Sequence, residues 1–156
     1  MHASGLRYNK NAEENHVRLF VSGTEFNRDI SQVIQGAKDV RTITFPGTVR
    51  DVPHSAFLDT TLLSVILNEG LETLGKCQAR VYRGVFGNTQ IRHVTLPSTL
   101  QVLGNGTFSG CESLRKVVFE KGSKLRSIGQ YAFDGCCSLK SISLPEGLET
   151  IEESAF

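Results

Sequence analysis

Glycine, cysteine, histidine and carboxylate side chains are where this 156-residue sequence could do chemistry, and their spacing decides each case. Gly104-Asn105-Gly106-Thr107-Phe108-Ser109-Gly110 resembles a phosphate-binding loop at first sight. Its glycines are spaced wrongly for a dinucleotide turn, and no Lys-Ser/Thr follows to reach a phosphate. Asn105-Gly106-Thr107 is also a glycosylation sequon, meaningful only in a secreted chain. His16, His54 and His93 fall in unrelated slots with no Ser or Cys in a strained elbow, so no triad is expected. Glu13-Glu14 and Glu152-Glu153 read as a mobile tail and a solvated rim. Cys111 and Cys136 each stand three residues after a phenylalanine, in a slot filled elsewhere by Thr60, Thr89 and Ala37. Such a slot wants a small, buried, weakly polar side chain. Stacking would bring the two cysteines to about one strand spacing, within disulfide range, but the threonine alternative means that no bridge is required. Cys77 and the scattered histidines make no zinc set. No catalytic residue, cofactor or metal site is expected.

The elements that carry these residues repeat. Val40–Val52, Ile91–Leu103, Leu114–Ile128 and Leu139–Ile151 each open with an apolar residue followed by x-x-V-x-L or its equivalent. Each passes a turn and closes on two apolar residues three apart, and Phe57, Phe108, Phe133 and Phe156 follow five residues later. The leading residues Val40, Leu62, Ile91, Leu114 and Leu139 are separated by 22, 29, 23 and 25 positions. Self-similarity at this period is the mark of a solenoid, whose units bury their apolar sides only against one another. Period-2 alternation sends Ile43, Phe45, Val65, Leu67, Val94, Leu96, Val117, Phe119, Ile142 and Leu144 into a core, with Phe57, Phe86, Phe108 and Phe133 as a stacked spine. Thr42, Thr44, Ser64, Ile66, His93, Thr95, Lys116, Val118, Ser141 and Ser143 face outward on a parallel sheet. Pro46, Pro97 and Pro145 stand just past the strands, where the chain turns. The closing pairs, such as Leu71/Leu74 and Leu125/Ile128, suit either a short strand or a loose turn.

The long spacing has a visible origin, because Gly75–Val85 adds about seven residues; such an insertion must bulge from one face of the stack. Residues 1–15 are polar and read as a mobile tail. Residues 16–36 read as a divergent cap, with a strand at Val17–Val21, Val17 standing 23 residues before Val40, and a short amphipathic helix over Asn27–Gln35. Repeats then fill residues 37–156, about five of them, the last incomplete. The layer of Leu144, Leu148, Ile151 and Phe156 is left open, and end-to-end self-association through it is one expectation.

The stretch Ile128-Gly129-Gln130-Tyr131-Ala132-Phe133-Asp134-Gly135-Cys136-Cys137-Ser138-Leu139-Lys140-Ser141-Ile142-Ser143-Leu144-Pro145 resembles the BspA-type, or treponemal-class, leucine-rich repeat. Phe108-Ser109-Gly110-Cys111-Glu112-Ser113-Leu114 repeats the pattern, which extends over roughly residues 34–156; Phe57–Thr60 and Phe86–Thr89 lack its Gly-Cys pair. The resemblance implies a right-handed solenoid with a parallel sheet, mostly strand and loop. It implies no catalytic residue and no cofactor, and many members are surface proteins implicated in adhesion.

Net charge is +1, with 17 basic against 16 acidic residues, so no global field draws the chain to nucleic acid or a membrane. No apolar run is long enough to span a bilayer and the first residues lack a leader's apolar core, which favours the cytoplasm over the cell surface. The residue after the leading apolar position is basic at Arg41, Arg92, Arg115 and Lys140, with Leu63 the exception. Solvated basic rows can serve only to keep a sheet soluble; alternatively this column, joined by Lys116, docks an acidic partner. The candidate protein-binding residues are Lys76, Arg80 and Arg83 in the insertion and Arg92, His93, Arg115, Lys116 and Lys140 on the sheet. The expected function is a non-catalytic protein-interaction module, a scaffold or an adhesin, with a structural spacer in a longer repeat protein as the alternative.

Overall fold

The computed structural model describes residues 7–11, 16–20, 40–76 and 84–156. Two strands, β1 (Arg7–Asn11) and β2 (His16–Phe20), form an antiparallel pair. The repeats follow, and each of four successive turns contributes a longer strand and a two-residue strand. These are β3 (Thr42–Thr44) and β4 (Asp51–Val52), β5 (Ser64–Ile66) and β6 (Thr73–Leu74), β7 (His93–Leu96) and β8 (Val102–Leu103), then β9 (Lys116–Phe119) and β10 (Ser127–Ile128). A last short strand, β11 (Thr150–Ile151), closes the order. The longer strands stack in parallel as β2-β3-β5 and β7-β9, and the short ones as a continuous parallel sheet β4-β6-β8-β10-β11. The second residue of each closing apolar pair therefore lies in a short strand, while the first precedes it, Val49, Leu100 and Leu148 each closing a turn on the carbonyl of the proline three residues back.

Alternation within the longer strands buries the expected side chains. Ile43, Phe45, Val65, Leu67, Val94, Leu96 and Val117 line one wall, and Val52, Leu74, Leu103 and Ile128 line the other. Phe57, Phe86, Phe108, Phe133 and Phe156 stack face on face, with centroids 5.3–5.6 Å apart and ring planes within 12–17° of parallel. A repeat near one strand spacing permits this offset stacking of identical rings. Phe45 meets the spine edge-on at 5.5 Å.

Two backbone columns make the turns possible. Asp59, Asn88, Gly110 and Gly135 stand two residues after successive phenylalanines, and all have φ of 57–70°. Glycine enters this left-handed region freely, and Asp and Asn are the side chains that follow it most readily. This is why the two turns lacking Gly-Cys keep the fold. Along the spine each turn donates to the next: Phe57 N–H to Val85 C=O, Phe86 to Thr107, Phe108 to Ala132 and Phe133 to Ala155, at 2.7–2.8 Å. Beside the short strands the direction reverses, with Gly75 N–H on Val52 C=O, Gly104 on Leu74 and Gly129 on Leu103, each at 2.7 Å.

Several expectations require correction. A strand does follow the polar start, but Val17 pairs with Ile43 rather than standing opposite Val40. Arg7–Asn11 is a strand paired with β2, and the rest of the expected tail, residues 1–6 and 12–15, lies outside the described residues. The helix expected over Asn27–Gln35 lies outside the described residues. Phe119 and Ile142 are only partly buried, and Leu144 is 41% exposed. Residues 141–144 take no strand conformation. Within the structure no further turn stacks on this layer, so its inward-facing slots keep one side open. The first sheet is also interrupted between β5 and β7, where the longest turn intervenes and Gln90 N–H reaches Leu62 C=O at 2.9 Å.

Candidate functional site

The outward face of the longer strands has three adjacent columns. The first holds Arg41, half-buried Leu63, Arg92, Arg115 and Lys140; the second, Thr42, Ser64, His93, Lys116 and Ser141; the third, Thr44, Ile66, Thr95, Val118 and Ser143. Arg41, Arg92, His93, Arg115, Lys116 and Lys140 are all exposed. Backbone pairing fixes their relation: Arg115 N–H donates to Arg92 C=O at 2.8 Å, and His93 stands in register with Lys116. In the third column Ile66 is 46% and Val118 37% exposed, two apolar residues separated by Thr95 beside the basic ones.

The face carrying the short strands is built otherwise. Arg50 and Glu72 form an ion pair at 3.0 Å across one pair of turns, and Arg126 pairs with Glu149 across another. The Thr73 hydroxyl donates to Asp51, and Glu72 and Glu149 each follow an arginine in the same slot of the preceding turn. Elsewhere Asn88 Nδ2 donates to Asp59 at 2.7 Å, and the Gln130 N–H donates to Glu152 at 3.2 Å. Glu69 accepts from the Ser98 N–H at 2.8 Å and from its hydroxyl at 3.0 Å, and these bonds, the backbone one foremost, lower its pKa. Many carboxylates are thus committed to neighbouring turns. Among the described residues none forms an ion pair with Arg41, Arg92, His93, Arg115, Lys116 or Lys140, and Glu112 and Asp134, natural neutralisers of the column, do not reach it. Reading the slot Arg50, Glu72, Gln101, Arg126, Glu149 down the repeats would have revealed the paired face, since each arginine is followed one turn on by a glutamate.

The structure places the insertion's ends in the stack: Gly75, Gly84 and Val85 are buried, so the expected bulge over Gly75–Val85 was drawn too wide. Val85 occupies the slot of Ala56, Thr107, Ala132 and Ala155, immediately before a spine phenylalanine. Lys76 is exposed, and Arg80 and Arg83 lie outside the described residues.

The cysteine slot is a core position. Cys111 Sγ donates to Phe86 C=O at 3.1 Å and Cys136 Sγ to Phe108 C=O at 3.2 Å, while Thr89 Oγ1 contacts Cys111 Sγ at 3.3 Å. Both thiols are free and buried; Cys137 is free and exposed. Burial raises the Cys111 pKa and, as the leading cause, pushes Cys136 up to about 12. Because thiolate is the reacting form, iodoacetamide at mildly alkaline pH should label Cys137 rapidly and spare Cys111 and Cys136, as peptide mass spectrometry would read. Equal labelling of all three would contradict the burial. The raised values also set a pH dependence: folded thiols hold protons more tightly than unfolded ones, so their contribution is present below about 9 and declines as pH rises towards 12. Replacing Cys136 with Thr should flatten the alkaline fall in melting temperature; an unchanged fall would show that these thiols do not govern it.

The sequon is part of a turn as well. Asn105 Oδ1 accepts the Gln130 N–H at 3.0 Å, and Thr107 is fully buried with its hydroxyl on Gly104 C=O at 2.7 Å. Among the described residues no group of three or more His, Cys, Asp or Glu side chains gathers as a metal site. Nor is any described helix long and apolar enough to cross a membrane.

Residues 29–78 and 79–156 match the family described as "BspA type Leucine rich repeat region", in 6 copies. The fold is similar to that of the pneumococcal vaccine antigen PcpA, with a TM-score of 0.53, 22% identity and coverage of 68% of this chain and 31% of that one. It is also similar to a leucine-rich repeat protein from Bacteroides ovatus, with a TM-score of 0.54, 21% identity and coverage of 100% and 50%. The chain thus spans at most half the length of these two structures. No curated protein matches it.

Proposed function

The chain belongs to the BspA-type leucine-rich repeat family, and from that premise we propose that it is a non-catalytic protein-binding module of the scaffold or adhesion type. It engages its partner with the outward face of the longer strands, assisted by the insertion. One observation carries this reading: that face presents solvent-exposed basic residues with which no described residue forms an ion pair, beside exposed Ile66 and Val118, on a backbone held by stacked turns. Sites on rigid repeats keep their geometry. The sheet carries Arg92, His93, Arg115, Lys116 and Lys140, and the insertion carries Lys76, Arg80 and Arg83. Affinity capture followed by amine-reactive cross-linking tests this. Cross-links are expected at Lys76, Lys116 and Lys140; cross-links confined to Lys121 and Lys124, on the exposed turn after β9, would move the site off this face.

A second reading rests on a different observation. Ile151 is 47% and Phe156 54% exposed beside Leu144, so the last layer presents apolar surface and an open ring face. In this reading the chain is a structural spacer whose final layer stacks on another repeat or another copy. Leu144→Lys with Ile151→Lys should then reduce self-association in sedimentation without unfolding the earlier turns. A concentration-independent monomer for the unaltered chain would dismiss it.

A further inference from the structure

We infer that the partner segment taken by this face is an acidic polypeptide stretch carrying apolar side chains, docked along Arg92, His93, Arg115, Lys116 and Lys140; this rests on the protein-binding reading above. The argument starts from how the protein treats its charges. Where turns stack on the short-strand side, each arginine of one slot pairs with the glutamate one turn on, Arg50 with Glu72 and Arg126 with Glu149. On the long-strand side the same stacking sets Arg92 beside Arg115 at about 4.8 Å between strands, with His93 and Lys116 in register next to them and no acid paired to any of them among the described residues. Like charges at that spacing repel, so the arrangement costs stability that the paired face does not lose.

Protection of a sheet edge asks for less than is present. β7 and β9 are both edges of a two-stranded sheet, where charge of either sign deters further pairing, whereas the column here is of one sign. Local potential therefore concentrates on one patch although net charge is only +1. Complementarity specifies a negative occupant. The neighbouring column specifies more. Val118, exposed one step beyond Lys116 on the same face of β9, offers an apolar contact beside the cations. A sulfated or phosphorylated polymer would satisfy the charges and leave Val118 unused. An acidic segment with interspersed apolar residues satisfies both.

An unbiased selection tests the inference. A displayed library of random peptides, panned on the intact chain, should enrich net-negative sequences containing Asp or Glu together with apolar residues. A synthetic copy of an enriched peptide, fluorescently labelled, should bind less tightly by about tenfold or more to Arg92→Glu/Arg115→Glu, and not to Lys121→Glu/Lys124→Glu. Its binding should also weaken sharply as salt rises from about 0.1 M to about 1 M, where the screening length falls from roughly 10 Å to 3 Å. If charge reversal unfolds the chain, as a lowered melting temperature would report, Arg92→Gln/Arg115→Gln serves in its place with the same expected direction. Enrichment of neutral or basic peptides overturns the acidic assignment and leaves the binding module standing. Binding of a heparin oligosaccharide in preference to every acidic peptide replaces the polypeptide with a glycan. Absence of any enriched peptide counts against both readings.

Discussion

Phe108→Ala should destabilise the chain by about 3–5 kcal/mol, a large part of the roughly 5–15 kcal/mol that holds a domain together. Phe108 is fully buried and lies between Phe86 at 5.4 Å and Phe133 at 5.6 Å, stacked on both. Its removal deletes the side chain's own burial and one partner from each neighbouring ring. It also opens a cavity that the flanking turns cannot close, because their spacing is fixed by backbone bonds such as Phe108 N–H to Ala132 C=O at 2.8 Å. Phe156 supplies the internal control. It stacks on Phe133 at 5.3 Å but is more than half exposed, so Phe156→Ala should cost far less. Urea denaturation of the two variants measures the difference. Similar losses for both would mean that the spine does not couple the turns.

The spine was legible in the sequence because Phe57, Phe108, Phe133 and Phe156 each stand five residues after a closing apolar pair, Phe86 being displaced only by the insertion, and one physical environment selects the slot. Equivalence of slots likewise exposed the inward residues of β3, β5, β7 and the first half of β9. It failed at Leu144, which has the right slot but no turn stacked over it, since burial in a solenoid belongs to the neighbour as much as to the residue. It failed again at Val17. Counting one repeat back from Val40 assumes another repeat, whereas β2 is one arm of an antiparallel hairpin with β1 and takes its register from Ile43. No period in the sequence encodes that pairing.

The candidate face divides along the same line. That Arg92, Arg115 and Lys140 share a column follows from the repeat, and their exposure follows from alternation. That no described acidic residue pairs with them does not follow, because Glu112 and Asp134 stand near them in sequence and only the path of the loops decides whether they reach. The boundaries of the insertion were hidden for a related reason. Gly75 and Gly84 look like loop residues by composition, yet Gly75 belongs with Gly104 and Gly129 in a column where backbones touch.

That column leads to the sharpest test of how the turns are joined. Gly104 does not need glycine for its φ, which is not positive; it needs the missing side chain. A Cβ there would lie 2.1 Å from the Gly75 carbonyl oxygen and 2.4 Å from its carbon, and backbone cannot rotate aside as a side chain can. Gly104→Ala must therefore push the third turn away from the second. That lengthens the Gly104 N–H to Leu74 C=O bond of 2.7 Å and loosens the β6–β8 pairing beside it. A loss of about 3 kcal/mol is expected, at the upper end of overpacking costs. Gly122 is the opposite case: its φ is +77°, but nothing lies within 4 Å of the added Cβ. Gly122→Ala should cost only the left-handed strain, about 1–2 kcal/mol. Because repeats are stabilised chiefly by their interfaces, the two variants should also differ in kind. Gly104→Ala should broaden urea unfolding, with a lower slope, as the turns before and after the weakened interface separate. Gly122→Ala should shift the midpoint and leave the slope alone. A Gly104→Ala transition as steep as that of the unaltered chain, with a loss no greater than that of Gly122→Ala, would show that the close backbone approach does not hold the stack together.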